Sequence, residues 1–407
     1  MTTMTTGTTI KVCVVLALLA GCASSEAARG GVPKGVQFAK RQLMVNPYES
    51  TAVADLNKDG HLDIVYGAYW FAGPDWVIRT FRPNHLAAEY IRANSDHVMD
   101  VDGDSWPDII AGGWQEDGIY WYRNPGNSAK EKGAPWEQHK PWEARLLTKT
   151  RGNMEMFQLH DFDKDGKPEL YAASYRKQYP LEIWRFGKGE DGQPNLTAFV
   201  LGEQGGGHGF AFGDVNGDGR EDVLTEVGWY ERPAANIWAE PWKHHPETAL
   251  PHPSCPFLVR DLDGDGRLDI IFGRGHDRGL YWWQQQAPAA DGTTQWKKHT
   301  IDESWTQAHA LRWGDIDGDG DQEMVAGKCI WAHNGGDPGA AEPVAIYYYK
   351  WDKKALKFTR YTIADKGENI ALGRQYDVVD LNKDGKLDLT APSKQGLWVL
   401  INKGMGP

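Results

Sequence analysis

Cysteine is scarce in this chain of 407 residues, with four in all: Cys13, Cys22, Cys255 and Cys329. So few exclude a small fold stapled by a disulfide framework. Basic residues fall short of acidic ones, 44 against 56, for a formal net charge of −12. No basic run stands anywhere, which argues against a nucleic-acid partner. Long apolar runs are missing too. The stretch "VCVVLALLAGC" after Lys11 is too short to span a bilayer and reads as the apolar core of a signal peptide.

What the chain does have is one acidic phrase, written seven times: "DLNKDGHLD", "DVDGDSWPD", "DFDKDGKPE", "DVNGDGRED", "DLDGDGRLD", "DIDGDGDQE" and "DLNKDGKLD". Carboxylates this close repel one another unless a cation sits among them, and the order is that of a short calcium loop. Position 1 is Asp55, Asp100, Asp161, Asp214, Asp261, Asp315 and Asp380. Position 3 is Asn57, Asp102, Asp163, Asn216, Asp263, Asp317 and Asn382; position 5 is Asp59, Asp104, Asp165, Asp218, Asp265, Asp319 and Asp384. Position 7 offers a backbone carbonyl, from His61, Trp106, Lys167, Arg220, Arg267, Asp321 and Lys386. Position 9 closes the loop with Asp63, Asp108, Glu169, Asp222, Asp269, Glu323 and Asp388. Oxygen-only donors in this number suit calcium above magnesium, up to seven ions in all. Nearly half of the 56 acids serve the loops, so bound calcium would account for the acidity. The second loop has Ser105 at position 6, where the others have the turn glycine, which predicts a weaker or differently shaped site.

The repeats override the two or three domains that length alone allows. Each loop is followed by an apolar run ("DIVYGAYW", "DIIAGGW"), an aromatic run ("GIYWYRN", "GLYWW", "AIYYYKW") and an alternating segment ("WEARLLTKT", "FTRYTIADK"). With the strand before the loop, that makes four short strands per repeat, the pattern of a propeller blade. The last repeat stops after its third strand. "VQFAKRQLMVN" near the N-terminus resembles "FTRYTIADK" and is expected to supply the fourth, closing the ring and removing open sheet edges. The fold expected is all-β, a seven-bladed β-propeller over residues 37–403, preceded by a leader (1–22) and a flexible tether (23–36).

The loops and the phrase "GDVNGDGREDVL" resemble the FG-GAP/VCBS repeat family. That resemblance covers about residues 37–403. It implies seven-bladed propellers with calcium between the first two strands of a blade.

Leu19-Ala20-Gly21-Cys22 resembles a bacterial lipoprotein cleavage box, which makes Cys22 the lipidated first residue of the mature chain. The expectation is an exported lipoprotein facing the outer membrane or cell surface, held to membrane only through that lipid. An exported context permits a Cys255–Cys329 disulfide, and two separate free thiols fit equally.

In a blade of this family the innermost strand runs down to its loop, so residues six before each loop should lie at the far end of the central channel. They are Glu49, Asn94, Glu155, His208, Cys255, His309 and Arg374, all polar or reactive. Residues two before the loop (Val53, Val98, Leu159, Phe212, Val259, Trp313, Val378) are all apolar, and a period of two puts both sets on one side of the strand. Turns after the second strands join that far end and carry Tyr69, Trp70, Trp114, Tyr175, Arg274, His276, Lys328 and His333. Four histidines (His208, His276, His309, His333) with Arg274, Arg374, Lys328 and Glu155 can do acid–base chemistry or hold a divalent transition metal. Glu49, Tyr69, Trp70, Trp114, Tyr175 and Trp229 are candidates for contacting a sugar. His97 falls out of phase and reads as structural, His244 and His245 read as solvated, and most of the 19 tryptophans read as packing between blades.

"GGGHGFAFGDVNGDGREDVLTEVGWYE", "GRGHDRGLYWW", "TQAHALRWGDIDGDG" and "AHNGGDPGAAEP" also resemble the propeller part of aldos-2-ulose dehydratase/isomerase-like proteins. This resemblance implies functional roles for His208, His276, His309 and His333. The cupin and lectin-like parts of those larger proteins are not in this sequence. Two readings follow. One is a carbon–oxygen lyase of sugar dehydratase or polysaccharide lyase type, working by proton abstraction and β-elimination with His208 or His309 as base. The other is a non-catalytic propeller binding carbohydrate or protein. A quinone-cofactor dehydrogenase is disfavoured, because the tryptophan-docking repeat of such propellers is missing. Imidazoles gathered in one pocket with Arg274 would favour the enzyme.

Overall fold

The computed structural model describes residues 35–406 except 84–85, 88–89, 92–93, 115, 117, 127–139, 152–153 and 331, with backbone only at 86–87, 90–91 and 174. The leader, Cys22 and all but the end of the tether lie outside the described residues.

Seven four-stranded antiparallel sheets follow one another along the chain. Their strands, from the channel outward, begin with Ala52–Ala54, Asp63–Tyr66, Tyr69–Ala72 and Val77–Thr80 in the first blade. The second has Ser95–Met99, Asp108–Gly112, Gly118–Arg123 and Glu143–Lys149; the third Met154–His160, Glu169–Ser174, Leu181–Lys188 and Pro194–Gly202. The fourth has Phe210–Gly213, Asp222–Thr225, Gly228–Glu231 and Lys243–His245; the fifth Leu258–Arg260, Asp269–Gly273, Arg278–Gln286 and Gln295–Thr306. The sixth has Ala308–Gly314, Glu323–Lys328, Ile346–Asp352 and Lys357–Ala364. The seventh is composite: Val378–Val379, Asp388–Ser393 and Gly396–Met405 take Val36–Met44 as their outer strand, paired from Val36 opposite Met405 to Met44 opposite Leu397 with a register irregularity near each end. The strands thus begin one residue before and end two residues after the expected 37–403. The fold is an all-β seven-bladed propeller, and among the described residues helix is confined to two short 3-10 turns.

The apolar and aromatic runs do what two-sided burial requires: each sheet faces another sheet on both sides. Seven apolar clusters fill the seven interfaces. Phe81, Trp70 and Trp142 stand between the first and second blades, and Trp121, Trp184 and Phe157 between the second and third. Tyr66, Phe71, Leu397 and Val399 join the last sheet to the first. A fully buried side chain of this size contributes about 1.5–3 kcal/mol.

The acidic loops connect first to second strands at one end of every sheet. Each is wound by its own carboxylates. Asp55 Oδ1 and Oδ2 accept the N–H groups of Asp59 (3.1 Å) and Gly60 (2.9 Å), and Asp59 Oδ1 accepts that of His61 (2.8 Å). The closing carboxylate is buried and ties two strands together: Asp222 accepts the N–H groups of Val215 and Arg232, both at 2.9 Å, and Asp63, Asp108, Asp269 and Asp388 repeat this. In the second loop Ser105 keeps the turn at φ 73°, beside 84–94° for Gly219, Gly266 and Gly320. A non-glycine residue in this left-handed region costs roughly 1–2 kcal/mol. Ser105→Gly should therefore stabilise the protein by about 1 kcal/mol, read as a higher denaturant midpoint; an unchanged midpoint would mean that Ser105 makes a compensating contact.

His97 is structural, as its phase suggested. Its Nε2 lies 2.9 Å from the Phe157 carbonyl and stitches the second blade to the third. Burial pushes its pKa down to about 4. Below about 6.5 the unfolded chain binds a proton that the folded one refuses, so stability is lost as pH falls from there toward 4. His97→Gln should flatten the acid limb of a melting-temperature profile over that window, and an unchanged limb would clear His97 of the effect. His244 and His245 are not free in solvent: they stack on Tyr230 and Trp229, with ring centroids 4.6 and 3.9 Å apart.

Candidate functional site

At the end of the channel opposite the loops lies a cavity of about 260 Å³. Five of the seven residues six before a loop line it: Glu49, Asn94, Glu155, His309 and Arg374. They stand on the segments leading into, or at the very start of, the inner strands. In the third and sixth blades a register irregularity separates them from the rest of the strand, between Met154 and Phe157 and between Ala308 and Leu311. That break changes the phase. The apolar set two before the loop packs between blades: Leu159 and Trp313 beyond these breaks, and Val53 and Phe212 on inner strands whose pairing is unbroken.

Arg374 is the electrostatic centre. Its Nη1 lies 2.9 Å from Glu155 Oε1 and its Nη2 3.2 Å from Glu49 Oε2, with all three side chains largely buried. Burial pushes Glu155 up, but Arg374 and the nearby histidines outweigh it and hold the carboxyl below its ordinary value. Cys329 Sγ donates to Glu49 Oε1 at 3.1 Å. Cys329 and Cys255 are both buried free thiols. Cys255 misses the cavity because its side chain turns into the cluster between the third and fourth blades, while its N–H donates to the His309 carbonyl (2.6 Å).

Beside this ion group stand the histidines. His208 Nε2 is 3.2 Å from His309 Nε2, and a ring nitrogen of His276 lies within 4.8 Å of theirs. His208 Nδ1 donates to the Pro253 carbonyl at 2.5 Å. A carbonyl only accepts, so the proton is on Nδ1 and Nε2 is bare. His309 Nδ1 is buried with no hydrogen-bond partner among the described residues, and Glu155 Oε1 is 3.5 Å from its Nε2. Burial, foremost, pushes His208 down to about 4 and His309 well below its ordinary value; His276 is lowered for the same reason. His276 Nδ1 and His333 Nδ1 donate to the two oxygens of Asp337, at 2.9 and 2.8 Å.

The donor set fits a divalent transition metal. Three neutral imidazoles converge, two of their nitrogens stand near the ~3.3 Å expected around a tetrahedral ion with Zn–N of about 2.0–2.1 Å, and a carboxylate is adjacent. The acidic loops fit a hard cation: the carboxylates of Asp261, Asp263 and Asp265, of Asp100, Asp102 and Asp108, and of Asp161, Asp163 and Glu169 each come within 4.8 Å of one another. Side-chain cations pair with carboxylates in five loops, in three of them from within the loop: Arg220 with Asp218, Arg267 with Asp265 and Lys386 with Asp384 (3.3 Å). Arg123 reaches Asp102 (2.6 Å) and Asp104 (3.1 Å), and Lys350 reaches Asp317 (2.5 Å) and Asp319.

Trp114 and Tyr175 form an aromatic wall, with ring centroids 5.3 Å apart. Other expected contacts lie elsewhere. Trp70 and Trp229 are buried between blades, and Tyr69 packs against the cluster joining the seventh and first blades, so none of them stacks on a ligand in the cavity. Arg274 pairs with Asp277 at 2.9 Å and does not line the cavity. Lys328 is buried, its Nζ donating to the carbonyls of Ala340 (2.9 Å) and Glu342 (2.6 Å). His208 sits behind His309 rather than on the wall. Sequence reasoning missed Asp337, whose place four residues after His333 was the available signal, and Asn334; Asn334 lines the cavity, as does Lys394, which its place in a turn after a second strand had put at that end.

The family model described as an FG-GAP-like repeat matches residues 161–225 and 261–326, and that of the FG-GAP repeat matches residues 48–76. No curated protein matches the chain. Among solved structures, BBS1N in complex with ARL6DN aligns at 12% identity over 89% of this chain and 94% of its own, with a TM-score of 0.44. Sqt1 of Saccharomyces cerevisiae aligns at 8% identity over 91% of this chain and 99% of its own, also at 0.44. A humanized mutant of the Chaetomium thermophilum Polycomb Repressive Complex 2, bound to the inhibitor GSK126, aligns at 12% identity over 79% and 72%, again at 0.44. Similarity at this level bears on neither partner nor activity.

Proposed function

Because this chain is an FG-GAP-repeat protein built as a seven-bladed propeller, we propose that it is an exported, calcium-loaded propeller that acts on a sugar at the loop-distal end of its channel, as a carbon–oxygen lyase of dehydratase type. The observation that carries the reading is the convergence of His208, His276 and His309, the last two lining the same cavity as the Glu49–Arg374–Glu155 ion group. The cavity volume is below the range of about 300–1,000 Å³ that drug-sized ligands occupy, and it suits one sugar ring better than the middle of a polymer. Trp114 and Tyr175 present the apolar surface that a pyranose face requires.

His208, His276 and His309, with Glu155 beside them, would hold the transition metal; the ion would supply Lewis acidity toward a carbonyl or carboxyl oxygen. The depressed basicity of buried His208 and His309 suits metal ligation better than proton abstraction, so the base moves from the expected His208 or His309 to His333. His333 is more exposed, and Asp337 holds its Nδ1. His333 Nε2 takes the proton next to the carbonyl, the C–O bond one carbon further breaks as the C=C bond forms, and the imidazolium returns the proton to the departing oxygen. Arg374, already shared by two glutamates, anchors the site rather than a substrate carboxylate.

Metal analysis of the purified protein is the test. The expectation is one zinc-, manganese- or nickel-class ion per chain beyond calcium, surviving a mild chelation that strips calcium. His309→Ala should lose that ion and turnover of ketosugars while the melting temperature stays within a few degrees. Calcium alone, with sugar bound but not turned over, would leave a binding propeller; a large loss of stability in His309→Ala would make that residue structural.

A further inference from the structure

We propose that Asp337 is the positioning residue of the histidine cluster, fixing which nitrogen of His276 and of His333 carries the proton and which is left bare for a ligand. This inference rests on the functional reading above and is tested separately from it. The connection between the second and third strands of the seventh blade is Lys394 and Gln395 alone, whereas in the sixth blade it runs from Cys329 to Ala345. That excursion folds back beside the cavity and brings His333 and Asp337 with it. It is pinned from three sides: Lys328 holds the carbonyls of Ala340 and Glu342, Thr306 Oγ1 donates to the Pro338 carbonyl at 2.6 Å, and Arg278 pairs with Glu342.

In this frame Asp337 receives three donors from three segments: His333 Nδ1 on Oδ1 (2.8 Å), and His276 Nδ1 (2.9 Å) and Gln307 Nε2 (3.1 Å) on Oδ2. Its side chain is 9% exposed. An ionised carboxylate accepts and never donates, so both Nδ1 atoms must carry hydrogen and both Nε2 atoms are bare in the neutral rings. The two imidazoles come from different blades, with centroids 4.4 Å apart, and share this one carboxylate. Without it both tautomers become available to each ring. A carboxylate behind a ligating imidazole is worth about 10–100-fold in metal affinity.

The test is long-range proton–nitrogen correlation on the full chain labelled with 15N-histidine, assigned by His276→Gln and His333→Gln. In the unaltered protein both rings should show a protonated Nδ1 and a bare Nε2; a protonated Nε2 on either neutral ring overturns the proposal without recourse to any variant. In Asp337→Asn at least one ring should move to the other tautomer, and affinity for zinc alone should fall about 10–100-fold. Gln307→Met, which removes only the third donor, should leave both readouts unchanged. Unaltered tautomers in Asp337→Asn, or an equal zinc loss in Gln307→Met, would mark Asp337 as packing. Tautomers as stated in a protein that turns over no sugar would sustain this assignment while ending the functional reading.

Discussion

Chelating calcium should lower the melting temperature by about 20 °C or more, and the size of the drop should grow with pH. An ion at a hundred times its dissociation constant stabilises by about 2.7 kcal/mol per site. Seven such loops sum to roughly 19 kcal/mol, against an unfolding entropy of about 2.1 cal/mol/K per residue. The pH dependence follows from the closing carboxylates. Burial, with the like charge of neighbouring loop acids, pushes Asp63, Asp222, Glu169 and Glu323 up to about 7, and Asp269 and Asp388 to about 6. Without metal the folded state binds these protons more tightly than the unfolded chain, so stability falls as pH rises from about 4 through about 7. With calcium bound the carboxylates are ionised in the folded state as they are in the unfolded one, so most of that pH dependence disappears. Scanning calorimetry at about pH 5 and about pH 7.5 should show stability falling with pH in the presence of a chelator and changing little with calcium. Equal slopes, or a melting temperature indifferent to calcium, would remove calcium from the account.

The loops were legible because electrostatics leaves little choice: clustered carboxylates on a glycine turn demand a fixed geometry. The blades were legible because runs such as "DIIFG" and "LYWW" can be buried on both faces only between sheets. The ring of polar residues six before each loop was legible by position, and five of them reach the cavity. The phase break after that ring was not, because the irregularities at Met154/Phe157 and Ala308/Leu311 depend on how neighbouring lead-in segments pair. Cys255, which lies ahead of its inner strand, turns into the interface between the third and fourth blades, while His309, one blade on, does not. Trp70 and Trp229 could not be told from Trp114 by sequence, since all three follow a second strand and only the adjoining sheet decides which is covered. Asp337 was visible as a neighbour of His333. Its second partner, His276, comes from another blade, and no spacing rule joins them.

Arg374→Met should cost about 3–5 kcal/mol, because it leaves two buried carboxylates without their shared cation. Glu49 leads into the first blade, Glu155 opens the third and Arg374 precedes the seventh, so the guanidinium ties three distant parts of the ring at the cavity floor. Its backbone N–H also donates to the Glu49 carbonyl at 3.1 Å, a bond that methionine keeps. The loss should therefore be electrostatic, and replacing the carboxylates as well, in Arg374→Met with Glu49→Gln and Glu155→Gln, should recover most of it. The pH response separates this from lost packing. In the unaltered protein Glu155 is held below its ordinary value, a contribution present above about pH 4.5 and lost in acid. With Arg374 gone, burial is opposed only by the nearby histidines, Glu155 rises, and the single variant should regain stability as pH falls, where the unaltered protein loses it. Denaturant unfolding at two pH values reads both signs. If the single variant is as stable as its parent, or the triple variant is no better than the single, the ion group does not organise the cavity, and the histidines beside it would have to be positioned by packing alone.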